Sequence, residues 1–94
     1  MTKVHILLPD LTIATGTSSE ETYEGLFEVI LDDGRVFYRD NSSVFEDENI
    51  ARATKFKKRY KIMLRGGVSP IEVWNSESKK IVDLAIDLWP EEFL

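Results

Sequence analysis

The chain has 94 residues, room for one small domain with a modest core. Cysteine is absent, which excludes disulfides, thiolate metal sites and a cysteine nucleophile; 43% apolar and 31% charged residues are the proportions of an ordinary folded protein. The net charge of −5 hides an uneven distribution, because residues 52–65 carry seven Lys and Arg and no acid, leaving −12 on the other eighty residues.

At the N-terminus, MTKVHILLPDLT has one lysine and a short apolar run broken by Pro9. It lacks the pattern of a signal peptide, and no apolar run reaches the length of a membrane span. With cysteine absent, a cytoplasmic location is expected. Lys3–Leu8 alternates Val4, Ile6 and Leu8 and reads as a strand. Pro9-Asp10 is a turn, and Leu11–Thr15 reads as a second strand. The polar run GTSSEET, residues 16–22, reads as a loop.

Residues 23–40 carry two patterns. Tyr23, Leu26, Phe27, Ile30 and Leu31 have helical spacing, and Ser18 with Glu21 resembles a capping box. A helix there must hold Gly25 at a cost of about 1 kcal/mol. A hairpin explains more. Asp33-Gly34 suits a two-residue turn, which pairs Leu31 with Val36, Val29 with Tyr38 and Glu28 with Arg39. Val29, Leu31, Val36 and Tyr38 then share an apolar face.

Asn41–Ser43 is a loop, and Glu46–Lys55 reads as a short helix with acids in its first turn. Continuing that helix through Leu64 puts Lys57 and Lys61 on the face of Ile50 and Tyr60. A strand over Phe56–Arg65 is the expectation instead: Tyr60, Ile62 and Leu64 on one face, Lys57, Arg59, Lys61 and Arg65 on the other. Ile71–Trp74 is a further strand candidate. In the last segment Lys79, Lys80, Asp83 and Asp87 form one narrow polar face of a helix, with Asn75 or Ser76 as its cap and Pro90 as its stop. Val82, Leu84, Ile86 and Leu88 also alternate as in a strand; length favours the helix. The expected class is α+β, a small, mostly antiparallel sheet with one or two short helices packed on it, in a single domain over residues 1–94.

Catalytic chemistry has little to work with. His5 is the sole histidine and reads as an ordinary strand residue; Ser18, Ser19, Ser42 and Ser43 have no activating partner in the sequence. Glu46-Asp47-Glu48 points three ways and reads as a helix start, not a cation site. No enzyme, cofactor or metal is expected. The expected function is binding: a small acidic inhibitor, of the immunity or phage-accessory, anti-defence type, docking on a larger partner that handles nucleic acid. Glu20, Glu21, Asp32 and Asp33 are its candidate contact residues, since an acidic patch suits a basic surface. The alternative is a nucleotide or nucleic-acid binder using residues 52–65, with Lys57, Arg59, Lys61 and Arg65 on phosphate and Tyr60 stacking on a base. Against both stands the expectation that the basic stretch is a solvated face neutralised by the protein's own carboxylates, within the fold or across a symmetric homodimer.

Overall fold

The computed structural model describes residues 2–21 and 25–94; residues 22–24, with the Tyr23 of the helical reading, and the side chains of Glu20 and Glu21 lie outside the described residues. The fold is α+β. Among the described residues four strands come first and four α-helices follow, more helices than the one or two expected: β1 (Thr2–Leu7), β2 (Ile13–Glu21), β3 (Leu26–Leu31), β4 (Val36–Asp40), α1 (Glu48–Arg65), α2 (Pro70–Asn75), α3 (Lys79–Leu88) and α4 (Pro90–Phe93), with a 3-10 turn over Asn41–Ser43 where a loop was expected. The chain divides into two compact units, Met1–Ala51 and Arg52–Leu94, with the boundary inside α1.

The first unit is an antiparallel meander in the order β1-β2-β3-β4. Val4 faces Gly16, and Gly16 faces Leu31. Val4, Ile6, Val29 and Leu31 are buried, with Leu8, Ala14, Phe37 and Val44 packed against them. The GTSSEET run is not a loop, because residues 16–21 are strand, paired with β1 on one side and β3 on the other. Polarity misleads here, since a strand held by ladders on both edges needs little from its own side chains. Gly16 has a reason to be glycine: a Cβ there would sit 2.2 Å from the Ile30 carbonyl oxygen and 2.8 Å from the Leu31 Cα.

The hairpin at 26–40 forms, but one residue out of the expected register. Val29 faces Phe37, Glu28 faces Tyr38, and Phe27 faces Arg39. Leu31 N–H donates to Arg35 O (2.8 Å) and Gly34 N–H to Leu31 O (2.9 Å). The turn is therefore a three-residue loop with only Gly34 at positive φ (91°), not a two-residue turn needing two such residues. A one-residue slip turns a strand over. Phe37 points to the core, while Val36 and Tyr38, expected there, are 48% and 53% exposed.

In the second unit the expected strand over residues 56–65 is helix. α1 runs unbroken through 18 residues, and Ala53, Phe56 and Tyr60 lie buried along one side with Met63 and Leu64 packed beside them. Ile71–Trp74 is likewise helical, within α2, entered through Ser69 with Pro70 in its first turn. The helix favoured for the last segment is α3, starting at Lys79 after Ser78, later than the Asn75 or Ser76 expected. Its Lys79, Lys80, Asp83 and Asp87 are exposed, and Ile81, Val82 and Ala85 are buried. Trp89, held out of the helical region before Pro90, ends it. Phe93 stacks on Phe56 at 5.6 Å and meets Tyr60 at 4.8 Å, closing the core of this unit. Among the described residues no helix is long and apolar enough to cross a membrane.

Candidate functional site

The charge division follows the two units. Residues 1–51 hold three basic and eleven acidic side chains, a net −8; residues 52–94 hold nine and six, a net +3.

A helix spreads the basic stretch around its circumference instead of lining it up along a strand face. Three cations are spent inside the unit. Arg52 pairs with Glu77 (2.7 Å) and Lys61 with Glu92 (2.8 Å), while the Lys57 ammonium lies 4.1 Å from the centroid of the Trp89 ring. This resolves the patterning objection to a long helix. The stems of Lys57 and Lys61 lie along the edge of the apolar face and carry their charges to Trp89, between α3 and α4, and to Glu92 of α4. Arg59 is half-buried, and its charge helps hold Glu77 ionised. For Glu77, burial pushes the carboxyl up, but the Ser78 N–H and the Arg52 guanidinium outweigh it and hold it below the ordinary range.

The proposed phosphate contacts are thus not brought together. Tyr60 is 8% exposed and belongs to the core, so it offers no stacking face. Lys57 and Lys61 are engaged on one flank, Arg59 lies on the other, and Arg65 stands exposed at the helix end. A different set shares a face: Lys55, Lys58, Ile62 and Arg65, spaced by three, four and three residues. Ile62 at its centre is 57% exposed, and among the described residues Lys55, Lys58 and Arg65 make no ion pair. The strand reading missed this set. The helical period of the basic residues around Ile62 was the signal that would have found it.

Of the acidic candidates, Asp32 and Asp33 are exposed in the β3–β4 turn. Asp33 accepts from the Arg35 N–H (3.0 Å) and Nε (2.8 Å). The Arg35 backbone N–H, with the guanidinium behind it, holds the Asp33 carboxyl below its ordinary range. The Glu20 and Glu21 side chains lie outside the described residues. The carboxylates of Asp32, Glu46 and Glu48 make no hydrogen bond or ion pair with a described residue. The first unit therefore leaves much of its negative charge without a counter-ion of its own.

His5 is 6% exposed, and its Nδ1 lies 2.9 Å from the Thr15 Oγ1 on the neighbouring strand. Its backbone bridges to Phe45 in both directions (2.7 and 2.9 Å), so the residue fixes the outer side of β1. Two concave regions among the described residues bear on a ligand. A cleft of about 340 Å³ in the first unit is lined by Thr2, Ser18, Ser19, Phe27, Asn41 and Glu46 among others. A groove of about 410 Å³ in the second has Trp74, Val82 and Ile86 with Lys79 and Asp83. In the first cleft the Ser18 hydroxyl donates to the Ser19 carbonyl oxygen (3.1 Å), and no described cluster of His, Asp and Glu has the makings of a metal site. No protein-family model, curated protein or solved structure matches the chain.

Proposed function

We propose that the chain is a non-enzymatic binding protein of the cytoplasm. In this reading it docks through its acidic sheet unit on the basic, nucleic-acid-handling surface of a larger protein and so inhibits it. One observation supports it above the others: −8 of charge is concentrated in residues 1–51, where the exposed Asp32, Glu46 and Glu48 carboxylates find no cation among the described residues, while residues 52–94 use Glu77 and Glu92 to balance their own cations. A surface left so charged costs self-repulsion, and its use is to steer a complementary partner. The test is capture from lysate with and without nuclease, followed by association kinetics. Capture should survive nuclease. The double variant Asp32→Lys/Asp33→Lys should slow association roughly tenfold, and Lys58→Glu/Arg65→Glu should leave it unchanged. Association insensitive to the aspartates would reject this reading.

A second reading rests on Lys55, Lys58 and Arg65, whose charges are unspent within the described fold. Here the outer face of α1 contacts phosphate. Oligonucleotide titration at low salt tests it, and binding should then fall with salt and vanish in Lys58→Glu/Arg65→Glu.

A further inference from the structure

The two edges of the sheet differ. The outer side of β1 is occupied by the His5–Phe45 bridge, whereas no described strand pairs with the outer side of β4. Edge strands are normally blunted by shortness, by charge and lysine above all, by proline or by a bulge; β4 is short and ends in Arg39 and Asp40, charges that the pairing below sets against a ring and a valine. β4, VFYRD, has no proline and no lysine, and its register with β3 runs without a shift. Hydrogen-bonded pairs alternate along an antiparallel ladder. Starting from Leu31 and Arg35, they fall at Val29/Phe37 and Phe27/Arg39. The backbone groups of Val36, Tyr38 and Asp40 therefore face outward, and all three residues are exposed.

We propose that β4 pairs antiparallel with β4 of a second copy of this chain, about a two-fold axis at Tyr38. Three features select that register. It overlaps all five residues of the strand, placing Val36 opposite Asp40 of the second copy. It sets Phe37 opposite Arg39 of the second copy on the other face. Within one chain the guanidiniums of Arg35 and Arg39 already lie 5.8 and 5.0 Å from the Phe37 ring centroid, so the pairing extends an existing cation–π arrangement. Slipping by two residues either way puts Arg39 opposite Arg35 or opposite itself, and like charges directly across a ladder are unfavourable. The Tyr38 carbonyl accepts from Arg39 Nη1 (3.0 Å) and its hydroxyl donates to Glu28 (3.2 Å). Val36 and Asp40 consequently supply the outer ladder bonds, and the Tyr38 pair closes the ladder at the axis through its N–H and the second lone pair of its carbonyl oxygen. The contact is isologous and closes on itself, joining two four-stranded sheets into one.

The chain has no cysteine, which makes the register directly testable. Directly opposed residues of a hydrogen-bonded pair have Cα atoms about 5.5 Å apart, within disulfide range. Tyr38→Cys should oxidise to a covalent dimer far faster than Val36→Cys, whose two copies lie four residues apart along the ladder. Sedimentation of the wild type over a concentration series up to millimolar should show a monomer–dimer equilibrium. Tyr38→Lys, which sets two ammoniums against each other at the axis, should weaken it roughly tenfold or more. Far-ultraviolet circular dichroism of each variant checks that the sheet is intact. A wild type monomeric throughout, a dimer untouched by Tyr38→Lys, or equal oxidation of the two cysteine variants would each overturn the proposal.

Discussion

Leu11 and Gly34 occupy the same position in two copies of one turn. In the β1–β2 turn Leu8 N–H donates to Thr12 O (2.9 Å), Leu11 N–H to Leu8 O (2.8 Å) and Thr12 N–H to Asp10 Oδ1 (2.9 Å). In the β3–β4 turn Leu31, Gly34 and Arg35 repeat those bonds at 2.8, 2.9 and 3.0 Å, with Asp33 in the role of Asp10. The third loop residue must take positive φ, 68° at Leu11 and 91° at Gly34. Glycine does this freely; a leucine there costs about 1–2 kcal/mol. Gly34→Ala should therefore lower stability by about 1 kcal/mol or more, while Leu11→Gly should be neutral or stabilising by up to about 1 kcal/mol in urea titrations. A larger loss at Leu11→Gly than at Gly34→Ala would show that the leucine side chain, not its backbone, holds the first turn.

Gly16→Ala should be far more damaging than either. Its new methyl meets backbone atoms of β3, which cannot swing aside as a side chain would. Either β2 parts from β3 or the chain does not fold, a loss expected above about 3 kcal/mol. Amide exchange should speed up along Gly16–Ser18 and Val29–Leu31. Protection equal to wild type would mean that the two strands tolerate a wider spacing.

The aromatic cluster and the lysines beside it separate packing from charge in the basic stretch. Phe56 is fully buried against Phe93 and Tyr60, and Phe56→Ala should cost about 3–5 kcal/mol. Lys57→Ala removes the contact with Trp89 from a half-buried position, worth about 0.5–2 kcal/mol. Denaturant titration of both variants checks the ratio. Comparable losses would mean that the lysine stem packs as deeply as the ring.

Glu77 predicts a pH dependence of definite sign. Its carboxyl is held below the ordinary value of about 4.5, so it binds its proton less readily folded than unfolded. The stabilisation is present above the unfolded value and is lost as pH falls through the lower folded one. Glu77→Gln should be less stable than wild type at neutral pH, and the gap should close in acid. Arg52→Gln should show the same convergence. A constant gap across that range would place the effect in packing.

How much of this was legible varied by element, for local reasons. The β3–β4 hairpin was readable because Asp-Gly sits between two apolar runs. Its register was not, since the same dipeptide fits a two-residue loop and a three-residue loop, and the difference decides whether Phe37 or Val36 and Tyr38 face the core. The identity of residues 56–65 turned on Lys57 and Lys61, which look wrong on the inner flank of a helix. Trp89 and Glu92, which make them right, stand about thirty residues further along the chain. The Gly16 approach to β3 is a property of backbone spacing that no periodicity announces. Of the site candidates, the exposure of Asp32 and Asp33 follows from their turn, whereas the loss of Tyr60 to the core follows from the helix.

The allocation of aromatic residues has an optical consequence. Both tryptophans, Trp74 and Trp89, fall within Arg52–Leu94, and Met1–Ala51 has neither. Indole emission therefore reports on the helical unit alone, with Trp89 beneath a lysine ammonium and the Trp74 Nε1 enclosed with no hydrogen-bond partner among the described residues. The meander is dark at those wavelengths and is seen only through its amides and tyrosine. A melt followed by fluorescence thus watches the helical unit alone, whereas one followed by amide absorption watches both units. The temperature gap between the two curves is a direct reading of how far α1, continuous across the boundary, makes them melt as one.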